Sequence, residues 1–334
     1  MSTTKKGKAP THQQRTRPSR KRLLTIAVIL VTVIAIGSVV SFVFLQPAQV
    51  SFSLNAAIID QLSMEFPDYA FVEKTTTILR TYGFNVSCYN QTLDVEFFRE
   101  LAKLNFGIIL LRAHSALRND SSAVDLFTTE PFSTSTHVED QNDDLVVKGT
   151  LNYTGTPRDY FAITSRFIEN LEGTFPKSIV IAMGCWGLKE GLESTLPSAF
   201  LKKGATAYLG WTDIVDYTHT DVETAKLLGN LLVFNRTLDD AVDRVAPDTF
   251  SGSRMRYYPS HAGGLSMSDL MAEAKALTAS MSQLIGLSHC RGFISSVVNC
   301  FLWSTRIGMG QAVPSSVSVV SKRPWLAGCG EHHP

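Results

Sequence analysis

From Asn55 to about residue 260, short apolar runs alternate with stretches whose apolar positions recur every three or four residues. The runs NAAIID (55–60), FNVSCY (84–89), FGIILLRA (106–113), SIVIAMG (178–184) and TAYLGW (206–211) have the length and branched or aromatic content of strands. Between them the spacing predicts helices. The first covers 68–83, with Phe71, Thr75, Ile78 and Leu79 on one face and Gly83 as its stop. Further helices are predicted over 95–104, 164–171, 197–203 (closing at Gly204), 219–234 and 237–245. Strands that alternate with helices pair in parallel through crossovers, and near-continuous apolar runs suit strands buried on both faces. The expected fold class is α/β, a doubly wound, mostly parallel sheet.

Two segments depart from this rhythm. Residues 115–160 form a polar gap too long for an ordinary connection, and it reads as a solvated surface loop. Its acidic patch, Glu139, Asp140, Asp143 and Asp144, has no EF-hand spacing. Residues 261–334 hold a Met-, Ala- and Leu-rich helical pattern over 266–287 and an apolar stretch over 292–303 that is too short to span a bilayer. This part reads as a loosely attached tail without chemistry.

Charge and hydropathy change the picture at the N-terminus. Residues 1–22 carry eight Lys or Arg and no acid, which predicts a disordered basic segment. Residues 23–45 contain no charge at all. At about 1.5 Å per residue such a helix is roughly 35 Å long, enough to cross a bilayer. The run is longer than a signal-peptide core, and QPAQ after it is a poor cleavage site, so an uncleaved anchor is favoured over a signal peptide. The basic flank places the N-terminus in the cytoplasm and the rest of the chain outside, as a single-pass membrane protein. The expected organisation is a basic segment (1–22), a transmembrane helix (23–45), a linker (46–54), the α/β domain (55–260) and the tail (261–334). Five sequons, at Asn85, Asn90, Asn119, Asn152 and Asn235, all fall beyond the anchor. Five cysteines are too few for a disulfide scaffold, and an odd number outside the cell leaves at least one thiol unpaired or intermolecular. A formal net charge of +1 gives no general attraction for nucleic acid.

The candidate chemistry sits at strand ends. Open α/β sheets bind ligands at the carboxyl ends of their strands. His114 ends the run FGIILLRAH, and Cys185 ends the run SIVIAMGC. If the two strands are neighbours, their axes lie about 4.8 Å apart and the two side chains share one cleft. A histidine there activates a thiol and later protonates a leaving group. Glycines on both sides of Cys185 permit a tight turn, and backbone N–H groups can serve an oxyanion. The alternative is a thiol that simply packs, since free cysteine is among the most buried residue types.

The order of apolar strand, His, about 70 residues, apolar strand, Cys, then AFLKKGATAYLGW (199–211) resembles the caspase-like cysteine peptidases of clan CD, and most closely their CHAT and gingipain branches. The resemblance covers roughly residues 55–245. It implies His114 as general base, Cys185 as nucleophile, the backbone N–H groups of Ser115 and Cys185 as oxyanion donors, a peptide or isopeptide substrate, and no metal or cofactor. Many family members have glycine after the histidine and alanine or serine before the cysteine; here these are Ser115 and Gly184. The turn after TAYLGW corresponds to one that helps form the substrate pocket in those enzymes. That makes Trp211, Asp213 and Asp216 pocket candidates, with a carboxylate selecting Arg or Lys. The competing role for one of these aspartates is a cap on the helix starting near Thr218. An α/β-hydrolase elbow fails at Met183, and no CxxC, phosphate loop or HExxH zinc motif is present. Two readings follow: a membrane-anchored, outward-facing cysteine peptidase, or a catalytically inactive surface module on the same fold.

Overall fold

The computed structural model describes residues 51–152, 155–276 and residue 279. The predicted anchor (23–45) and most of the predicted tail lie outside the described residues. No helix among the described residues is long and apolar enough to cross a membrane.

The fold is α/β, with a mixed six-stranded sheet. Its strands are β1 (Asn55–Asp60), β2 (Asn85–Tyr89), β3 (Ile108–Arg112), β8 (Ile179–Ala182), β9 (Ala207–Trp211) and β10 (Met255–Tyr258). They lie in the order β10-β9-β8-β3-β1-β2, and every pairing is parallel except that of β10 with β9. Alternate strand residues feed two separate cores. Ile58, Leu110, Ile181 and Leu209 pack on one face with helices α1 (Tyr69–Thr81), α6 (Tyr217–Leu228) and α7 (Leu238–Val242). Ile59, Leu111, Val180 and Tyr208 pack on the other with α2 (Val95–Glu100), α4 (Ser165–Glu169) and α5 (Leu196–Lys202). Burial on both faces explains why the central strands read as unbroken apolar runs.

Local capping sets the helix starts. Asp68, Asp94 and Thr164 each accept a hydrogen bond from the backbone N–H three residues on, at the heads of α1, α2 and α4. After α1 the chain turns at Gly83, whose φ of 90° suits glycine. The apolar pattern over 219–234 does not stay α-helical. α6 stops at Leu228, and Gly229–Val233 winds as a π-helical turn.

Residues 115–160 are not a solvated loop. They build most of a second, antiparallel sheet in the order β4-β5-β7-β6, from β4 (Ser115–Leu117), β5 (Val124–Pro131), β6 (Val146–Leu151) and β7 (Arg158–Ile163), with α3 (Val138–Asn142) between β5 and β6. Only part of each strand is apolar, because burial is confined to one end: β5 is buried from Val124 to Thr128 and β7 from Phe161 to Ile163, and the remainder of each is half-buried or exposed. Val124, Leu126, Val146, Phe161 and Ile163 supply the buried face. The acidic patch joins the same framework, with Asp140 bonded to Arg99 at 2.6 Å and Asp144 paired with Arg118 at 3.3 Å. Among the described residues no cluster has the make-up of a metal site.

The packed unit also continues past residue 260. Met267, Leu270, Met271 and Ala274 belong to the first core, on a helix that starts at residue 267. The helical pattern over 266–287 is therefore, in its described part, integral to the domain.

Candidate active site

β3 and β8 are hydrogen-bonded neighbours, with Leu111 opposite Ala182 and Met183 N–H donating to the Leu111 carbonyl at 2.9 Å. The chain leaves both strands at their carboxyl ends, on the same side of the sheet, and His114 and Cys185 both line one cavity of about 780 Å³. Gly184 runs so close to the first segment that a side chain there would collide with the Ala113 carbonyl and the Ser115 hydroxyl. Glycine at 184 is thus a requirement of this close approach.

The turn after Cys185 is stitched to the end of β9. Trp186 N–H donates to the Asp213 carbonyl at 3.0 Å, and Leu188 N–H to the Trp211 carbonyl at 2.9 Å. Trp186 sits in the left-handed region at φ 55°, a conformation that costs a non-glycine residue on the order of 1 kcal/mol. The backbone strain lies next to the thiol. The Val215 N–H points to Cys185 Sγ at 3.5 Å. Ser115 Oγ donates to the Cys185 carbonyl at 2.6 Å, locking the two segments together.

His114 is gripped from several sides. Its backbone N–H donates to Gln61 Oε1 at 2.9 Å, and its Nε2 lies 3.3 Å from Glu65 Oε2. The Phe66 ring meets the imidazole edge to face at 6.2 Å. Glu65 also reaches Arg158 of β7 at 3.5 Å. Burial pulls the imidazole below its ordinary value, while Glu65 acts in the opposite sense. Burial pushes the Cys185 thiol up; the Val215 amide opposes this, and the carboxylates of Asp213 and Asp248 add to it. Both shifts favour the uncharged forms, imidazole and thiol.

Beneath the site lies a buried charge network. Arg112, fully buried, donates to Asp221 at 2.8 and 2.7 Å, to Asp60 at 2.7 Å and to the Phe66 carbonyl at 2.7 Å. Burial works against the guanidinium, yet its bonds to Asp221 and Asp60 hold it above its ordinary value. This network ties the strand that carries His114 to α6 and to the loop that carries Glu65 and Phe66. Neither the network nor Glu65 was legible in the sequence. The segment SMEFPD (63–68) has no periodicity, and Asp221 is 109 positions from Arg112.

The pocket candidates separate. Trp211 is fully buried, its indole N–H donating to Thr220 Oγ1 at 2.8 Å, and it belongs to the core. Asp213 is exposed, and its carboxylate accepts the following Ile214 N–H at 2.8 Å. Asp216 does line the cavity, but as the cap of α6: its Oδ1 accepts from Thr218 N–H (2.9 Å), His219 N–H (3.1 Å) and the Thr218 hydroxyl. The capping alternative holds for Asp216, because a carboxylate at a helix start satisfies otherwise orphaned N–H groups.

No protein-family model matches the chain, and no curated protein matches it.

Proposed function

We propose that the chain is a caspase-like cysteine peptidase that hydrolyses peptide bonds with a His114/Cys185 dyad. The observation that carries this reading is the delivery of His114 and Cys185, from the ends of adjacent parallel strands, to one cavity. The sequence resemblance over 55–245 adds to it.

With Nε2–H donating to Glu65, Nδ1 of His114 holds the lone pair that takes the thiol proton as Sγ attacks the carbonyl carbon. The resemblance gives the oxyanion to the backbone N–H groups of Cys185 and Ser115, of which Cys185 lines the cavity and Ser115 does not. The imidazolium then protonates the leaving amine, giving a thioester and neutral His114. Water, deprotonated by the same imidazole, releases the acid and restores the thiol. Because both shifts favour the neutral forms, this reading has proton transfer accompany attack rather than precede it. Glu65 is a positioning residue here: it sets the tautomer and favours the imidazolium.

Residues 23–45 are proposed as a single-pass anchor, with the basic N-terminus in the cytoplasm and the domain outside. The five sequon asparagines, all exposed, are compatible with that placement.

An irreversible peptidyl electrophile tests the chemistry. Peptide mapping should find it on Cys185, with labelling lost in His114→Ala. Labelling that stays slow and indifferent to His114 would favour the inactive surface module, which the raised thiol pKa also suits.

The pH dependence carries a definite sign. Catalysis needs the neutral imidazole, so the acid limb of kcat/KM should lie below about 6.5, the ordinary histidine value. Activity should then be flat through neutral pH. Glu65→Gln removes the carboxylate that favours the imidazolium and should move the limb to lower pH while reducing kcat. A limb that stays in place would remove Glu65 from the mechanism.

A further inference from the structure

Nine large apolar side chains are exposed among the described residues, and four of them, Ile214, Tyr217, Val222 and Phe250, line the cavity beside Cys185. Their exposures are 43, 39, 51 and 89%. They come from three places that need not have converged: the turn after β9, the first turns of α6 and the loop near residue 250. Leu62 and Phe66 continue the wall on the His114 side, with Phe66 stacked on Tyr217 at 4.3 Å. Exposed apolar groups gathered around one concavity mark a place where something apolar is bound.

Three polar side chains of the same wall, Asp248, Asp216 and His219, bond to the backbone. Asp248 is 2% exposed; its Oδ1 accepts from Phe250 N–H (3.0 Å), Ser251 N–H (2.8 Å) and the Ser251 hydroxyl (3.0 Å), and its Oδ2 from Asp216 N–H (3.2 Å). Asp216 caps α6, as described above. His219 Nε2 bonds the Ala246 carbonyl at 3.0 Å. No Lys or Arg is among the described residues that line the cavity. An acidic side chain would meet two carboxylates and no cation. A basic one would meet Asp248, with both oxygens engaged by N–H donors, and Asp216, with Oδ1 engaged by the helix it caps, against a wall otherwise dominated by apolar side chains.

Building on the peptidase reading, we infer that this cavity is the subsite for a large apolar side chain of the substrate, with Ile214, Val222 and Phe250 as its specificity-determining walls. The substrate class is therefore peptides with an aromatic or long aliphatic residue at the cleaved position, rather than Arg, Lys or Asp. The volume of about 780 Å³ accommodates such a side chain together with adjoining backbone.

Two measurements on the full-length chain separate this inference from the peptidase reading. Turnover is read with peptidyl aminocoumarins that differ only in the residue before the coumarin: Phe, Leu, Arg, Lys or Asp. Phe and Leu should exceed the others in kcat/KM by about tenfold or more, the discrimination expected of an apolar pocket. Binding is read on Cys185→Ser with fluorescent peptides carrying Phe, Arg or Asp at that position, so it needs no chemistry. Phe should bind tightest, and Val222→Asp, an exposed site that should still fold, should erase that preference. Preferred binding of Arg or Asp, or a preference untouched by both Val222→Asp and Phe250→Ala, overturns the inference whatever the turnover. Selective Phe binding without turnover would instead leave the subsite standing and sink the peptidase.

Discussion

Replacing Cys185 by serine is expected to lower kcat/KM by about 10³-fold or more while shifting unfolding by about 1 kcal/mol or less. The two halves of this expectation have different causes. Serine keeps the volume and the neighbours of the thiol, namely the Val215 N–H, which donates to it, and the Val215 carbonyl, to which it donates. It lacks the thiol's nucleophilicity and its more readily lost proton, on which the proposed chemistry depends. His114→Ala should cost a similar factor, and the double variant little more, because the two groups act as a unit. Kinetics on a Phe peptide, with thermal unfolding in parallel, checks both halves. A thiol that merely packs predicts the reverse: a lowered melting temperature and no activity to lose. Full activity in Cys185→Ser would end the dyad.

The largest stability effect should come from Arg112. Arg112→Met leaves Asp60 and Asp221 buried without their cation, and removing one partner of a buried network costs about 3–5 kcal/mol. For a domain of this size that is a fall in melting temperature on the order of 10 °C. Ordinary surface ion pairs give a contrast. Lys148→Ala, which loses an exposed contact to Asp159, should change stability by about 0.5 kcal/mol or less. Calorimetry on the two variants decides. Equal melting temperatures would mean that solvent reaches Arg112 and the network is not the tie between β3, α6 and the loop at 61–68. The same variant should also weaken catalysis beyond its effect on folding, since Arg112 holds the Phe66 carbonyl one residue from Glu65.

How far the fold was legible depended on which faces each element buries. β1, β3, β8 and β9 read correctly because both faces of those strands are covered, so nearly every residue is apolar. The small sheet did not, because β6 (Val146–Leu151) buries only its first residue, Val146, and the same face then carries Lys148 and Thr150 into solvent, so no strand period shows in the sequence. β10 was missed for a related reason: it is a four-residue edge strand, and it pairs antiparallel with β9, outside the βαβ rhythm. The tail was underestimated because a helix docked by one stripe, here Met267, Leu270, Met271 and Ala274, looks no different in sequence from a solvated one.

By itself, then, the sequence determined the α/β alternation, the strand cores and the fact that His114 and Cys185 each terminate an apolar run. Those are consequences of local burial, and local burial is written in residue type. Tertiary structure decided the rest. It made β3 and β8 neighbours, turned Trp211 into the core, engaged Asp216 as a helix cap and brought Glu65 to His114 from a loop 49 positions away. Strand order and loop approach depend on which distant faces cover one another, and a periodicity confined to one segment carries no record of its partner.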